Sequence, residues 1–125
     1  MALTISTARS APASAEIVGI GVFSDGERPG VLPDDVLESR GFEGDLGKTI
    51  IVQTKKGLRA AVGLGAVDSF DEHALRKAGA SFTRAVKRHK NVAISALADA
   101  AREVQGLDVE AGAQALAEGM ELGAY

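Results

Sequence analysis

The chain has 125 residues, 46% hydrophobic and 25% charged, with a net charge of −3 and no cysteine. That length fits one domain with a core of useful size, and the lack of cysteine excludes a disulfide framework, a thiolate nucleophile and a cysteine-ligated zinc. The acidic balance argues against nucleic acid or an anionic membrane as partner, and no apolar run approaches the ~20 residues that span a bilayer.

The chain starts with MALTISTARSAPASA. Residues 2–7, ALTIST, are rich in β-formers and predict a short first strand; residues 8–15 are a small-residue loop. An A-x-A-like pattern is present, but without a positive n-region or a long apolar h-region. No secretory signal is therefore expected, and a cytoplasmic location is. EIVGIGVF, residues 16–23, is a continuous apolar run of strand length, which predicts a buried central strand. SDGERPG, 24–30, is turn chemistry. LPDDVLESRG, 32–41, predicts a short helix with Pro33 near its start, acids in its first turn and Gly41 past its end.

KTIIVQT (48–54) and LRAAVGLG (58–65) predict two strands of a hairpin, with Gly57 supplying a positive φ at the join. A long helix is predicted from about residue 70 to 89. Its inner face is Leu75, Ala78, Phe82, Ala85, Val86 and His89, at three- and four-residue steps. NVAISAL, 91–97, predicts another buried strand. ADAAREVQGL fits a short helix or a loop. Residues 108–125 are helical in pattern, although Gly112, Gly119 and Gly123 each cost roughly 1 kcal/mol against alanine. The order predicts an α/β fold, a mixed central sheet of about five strands with helices on both faces.

The stretch most suggestive of chemistry is VGLGAVDSFDEHALRKAG (62–79), an apolar run ending in Gly-Leu-Gly before a helix. A dinucleotide loop needs a third glycine where Asp68 stands, and a Walker loop needs Gly-Lys-Ser/Thr. Helix entry has a local explanation: Ser69 and Glu72 form an S-x-x-E capping box. Asp71 and Glu72 suit the positive end of the helix dipole and would repel a phosphate. Gly63–Gly65 therefore reads as a strand exit.

At the other end of this helix, KRHK (87–90) gathers cations. Lys87, Arg88 and Lys90 are the candidate phosphate contacts, although cations also favour a helix C-terminus for reasons of the dipole alone. His73 and His89 are separated by roughly 24 Å of helical rise and cannot share a metal. The carboxylates fall at turns and helix starts, where capping and solvation explain them better than acid–base chemistry. No Gly-x-Ser-x-Gly elbow is present. No catalytic, metal-ligating or cofactor-binding residue is assigned in this chain.

Three stretches in order carry a resemblance. RGFEGDLGKTIIV (40–52) holds a Phe-x-Gly-x-x-Gly pattern at Phe42, Gly44 and Gly47. RAAVGLGAVDSFDEHALRKAGA (59–80) holds a Val-Gly-Leu-Gly strand end at Val62–Gly65 and an Arg-Lys-Ala helix centre at Arg76–Ala78. AEGMELGAY (117–125) holds Glu-Gly-x-x-Leu-x-x-Tyr at Glu118, Gly119, Leu122 and Tyr125. Together they resemble the N-terminal domain of the leucyl (cytosol) aminopeptidase family over nearly the whole chain.

The resemblance implies a macro-domain-like fold and a parent enzyme that is a two-domain homo-hexamer. It implies two divalent metals, manganese or zinc, held by the C-terminal domain with its Asn-Thr-Asp-Ala-Glu-Gly-Arg signature. That signature does not occur in these residues. The expected partners are the parent's own catalytic domain and its other subunits, with the isolated domain a monomer or weak dimer. Neither a membrane nor nucleic acid is expected. The competing reading, by fold analogy, is an independent nucleotide- or nucleic-acid-binding module.

Overall fold

The computed structural model describes residues 15–25, 29–89 and 91–124. Strands β1 (Ile17–Phe23), β2 (Thr49–Thr54), β3 (Gly57–Gly65) and β4 (Val92–Ile94) form one sheet in the order β2-β3-β1-β4. β1 is parallel to β3 on one side and to β4 on the other, and β2 is antiparallel to β3. The sheet is mixed, as expected, with four strands among the described residues instead of about five. The strand expected at residues 2–7 lies outside them.

Alternation along β1 sends Ile17 and Phe23 into one apolar cluster and Ile20 and Val22 into another on the opposite face. The run reads as continuously hydrophobic because both faces are covered. Helices α2 (Glu72–Ala85), α3 (Ala96–Glu103) and α4 (Val109–Gly123) share the larger cluster through Leu75, Phe82, Ala96, Ala100 and Met120. The short α1 (Asp34–Ser39) covers the other face with Leu37, beside Leu32 and Phe42. The hairpin β2–β3 turns at Lys55–Lys56, and Gly57 has φ +117°.

Three details differ from expectation. The predicted Ser69–Glu72 capping box does not form. Residues Val67–Ser69 make a 3₁₀ turn, in which the Ser69 hydroxyl lies 3.4 Å from the Ala66 carbonyl. Phe70 is then extended and packs edge-on against Phe23, with ring centroids 5.2 Å apart. The helix starts after that anchor, so Asp71 is its cap and accepts from the Ala74 N–H at 3.0 Å.

α2 also stops at Ala85, so His89 is not on the helix that carries His73. KRHK contains no helix breaker, and the stop is tertiary. Val86 is fully buried, and the chain turns back so that the Glu16 N–H can donate to the Asn91 carbonyl beside β4. β4 in turn is shorter than the predicted 91–97. The Ser95 N–H donates to the Gly19 carbonyl, and Ser95 then begins α3 by accepting from the Asp99 N–H. α3 takes up most of the stretch that fitted helix or loop.

Gly119 and Gly123 of α4 have a packing role against α2. A Cβ on Gly119 would fall on the Arg76 carbonyl, and one on Gly79 would sit 2.6 Å from the Leu116 carbonyl oxygen. Gly123 faces Ala80 in the same way, so α2 and α4 run in the same sense with their backbones in contact.

Candidate functional site

In parallel α/β sheets, ligands bind outside the carboxyl ends of the strands. Here those ends are Phe23, Gly65 and Ile94, and the Gly-Leu-Gly turn lies among them. The turn is occupied by protein. The Gly63 N–H donates to the Lys48 carbonyl at 2.8 Å, and the Gly65 N–H to the Gly44 carbonyl at 2.9 Å. The Val67 N–H donates to Asp25 Oδ1 at 2.9 Å. All three amides are bonded within the protein: Gly63 in the β2–β3 ladder, Gly65 to the Phe42–Lys48 loop and Val67 to Asp25. Over Gly63, the Asp45 carbonyl stands where a Cβ would be. Gly65 has φ +78°, which lets β3 end and the chain turn toward α2. The Phe42–Lys48 loop is thus the lid of the turn, and its own glycines, Gly44 and Gly47, take positive φ to make it.

On the other side of β1, sequence reasoning missed Asp99. β4 is too short to reach Gly21, whose N–H would otherwise face an empty position in the sheet. Asp99 Oδ2 accepts that N–H at 2.9 Å and the Ser95 hydroxyl at 2.7 Å. The residue is only 8% exposed. Its signal in the sequence is an acid in the alanine-rich run Ala96–Ala101, four residues after Ser95 at a strand end.

The remaining predicted residues are not gathered into a site. Ser69 is exposed on the 3₁₀ turn, and Glu72 is an exposed first-turn acid of α2. Lys87 and Arg88 are exposed beyond the end of α2, while Lys90 lies outside the described residues. His89 Nδ1 is 2.9 Å from Glu16 Oε2, which places an acid within the basic stretch. His73 instead meets Arg76, at 2.9 Å. Among the described residues no three His, Asp or Glu side chains are grouped to hold a metal ion. No helix among them is long and apolar enough to cross a membrane. An open depression of about 650 Å³ lies between Val31, Pro33 and Val36 and the hairpin tip, with Lys55 and Lys56 on its rim.

The sequence profile of the cytosol aminopeptidase family, N-terminal domain, matches residues 27–125. A "Probable cytosol aminopeptidase" of Acidobacterium capsulatum is 39% identical over 88 residues, which cover 67% of this chain and 17% of that protein. One of Streptomyces griseus is 30% identical over 145 aligned residues, covering 99% of this chain and 26% of that protein. The chain therefore spans about a quarter or less of the length of these relatives. Among solved structures, the bottromycin maturation enzyme BotP superposes with a TM-score of 0.75 at 24% identity, over 90% of this chain and 24% of BotP. A tomato leucine aminopeptidase mutant superposes with a TM-score of 0.71 at 20% identity, over 99% of this chain and 28% of that one. At those identities the structures establish a shared fold. With the profile covering most of its length, the chain belongs to the cytosol aminopeptidase family, as that family's N-terminal domain.

Proposed function

We propose that this chain is the non-catalytic N-terminal domain of a metal-dependent leucyl aminopeptidase whose parent protein releases N-terminal amino acids from peptides. The domain contributes assembly, access or regulation to a separate C-terminal domain that holds the two divalent metals, manganese or zinc. The parent is a cytoplasmic homo-hexamer. One observation carries the reading: the family match covers residues 27–125, while the relatives extend to about four times the length of the matched region or more. A Mn complex of BotP supports manganese as the metal. The chemistry of the two metals belongs to the C-terminal domain, and no step of it is assigned to residues of this chain.

The purified chain tests this reading. It is expected to show no metal-dependent hydrolysis of a leucine chromogenic amide with manganese or zinc added. Turnover that co-purifies with the folded chain would overturn the non-catalytic assignment. Calorimetric titration with ADP-ribose and ATP at ~150 mM salt, where exposed charges are largely screened, is expected to show no saturable site. Micromolar binding of either would favour the independent macro-like module.

A further inference from the structure

Among the described residues β2 is an edge strand, with one row of its backbone groups directed away from the sheet. The ladder identifies that row. Gly63 donates to the Lys48 carbonyl, and antiparallel pairs alternate along the strand. Ile50 and Val52 therefore direct their backbone groups to β3, while Thr49, Ile51 and Gln53 direct theirs outward. A separate contact agrees: Arg40 Nη1 donates to the outward carbonyl of Ile51 at 2.6 Å. Arg40 is the C-cap residue of α1, so its backbone is held by the helix while its side chain reaches the edge.

The strand itself is TIIVQT, with no charge and no proline. A short, uncharged, β-branched segment on a sheet edge is a template for another strand. We propose that the outer edge of β2 is a self-association surface and that Arg40 holds it closed. The partner it fits is a second copy of this chain, paired antiparallel about a two-fold axis at Ile51. Thr49 then stands opposite Gln53 and Ile51 opposite Ile51, so no like charges meet. Lys48 falls opposite Thr54, which keeps the flanking lysines from facing one another. In that pairing the Ile51 N–H of the second copy seeks the carbonyl that Arg40 occupies. The two are direct competitors.

The test is the concentration dependence of sedimentation for the wild type and Arg40→Ala. The variant is expected to self-associate about tenfold or more tightly, the worth of one charged hydrogen bond. Adding Gln53→Pro to Arg40→Ala is expected to restore the wild-type behaviour. Its N–H faces outward, so proline removes an edge donor without touching the β2–β3 ladder. No difference between wild type and Arg40→Ala overturns the proposal, as does association that survives Gln53→Pro. Should Arg40→Ala not fold, Arg40→Gln, too short to reach Ile51, gives the same comparison. Amide exchange supplies a reading on the unaltered protein: Ile51 and Gln53 are expected to exchange fast and Ile50 and Val52 slowly. Protection of Ile51 and Gln53 in a monomer would mean that another part of the chain covers the edge, which also overturns the proposal.

Discussion

Gly63 faces the carbonyl of Asp45 with no space between them for a methyl group. The strand end and the Phe42–Lys48 loop are therefore one packed unit. Gly63→Ala is expected to destabilise by about 3 kcal/mol, because the clash is with backbone that no rotamer change can move. Gly30→Ala is the control, since nothing lies within 4 Å of its added Cβ; it should stay within about 0.5 kcal/mol. Urea melts of both variants measure the difference. Equal effects would mean that the loop does not close over the turn.

Asp99 fills a gap in the sheet, and its loss should be felt as an orphaned N–H. Asp99→Ala leaves the Gly21 amide without this acceptor, at an expected cost of about 1–3 kcal/mol. Ser95→Ala removes only one donor to the same carboxylate and should cost less. Hydrogen exchange at Gly21 is the specific readout: it should accelerate in Asp99→Ala and stay near the wild-type rate in Ser95→Ala.

The start of α2 distinguishes two caps. Asp71→Ala is expected to cost about 1 kcal/mol. Ser69→Ala should fall within about 0.5 kcal/mol, as its hydroxyl makes only a long contact to the Ala66 carbonyl. The opposite order in thermal melts would restore the capping box.

Gly19 on β1 and Phe82 on α2 are shaped to each other. A Cβ on Gly19 would lie 2.6 Å from Phe82 Cε1. Gly19→Ala is therefore expected to destabilise by about 1–3 kcal/mol, and Phe82→Ala by about 3–5 kcal/mol. Together they should cost less than their sum, since the smaller side chain frees the space the methyl needs. Strict additivity in a double-mutant cycle would show that the two do not compete for one volume.

The parts of the fold legible in the sequence are those written in local pattern. The apolar run of β1, the hairpin with Gly57 and the inner stripe of Leu75, Ala78 and Phe82 are all found as read. What was not legible depends on distant partners. Val86 ends α2 because it is buried against other elements, and no residue in KRHK announces it. Asp71 displaces Ser69 because Phe70 is held by Phe23, far away in sequence. Gly119 and Gly123 are visible in the sequence as a helix penalty, but the carbonyls of α2 that require them are not. The Gly-Leu-Gly stretch ends β3 at Gly65, where the pattern places a strand end. The loop that closes it belongs to the Phe-x-Gly-x-x-Gly pattern, whose glycines show a demand for special backbone without showing what it covers.

The contact between α2 and α4 has a mechanical consequence. Helices joined by interdigitated side chains can slide as rotamers change, whereas a carbonyl resting on a glycine has no rotamer to change. The two helices form a stiff strut. Near the middle of α2, Ser81 is hydrogen-bonded to Thr49 at 2.7 Å. Contact therefore runs without a break from α4 across α2 to β2, on the other side of the sheet from β4.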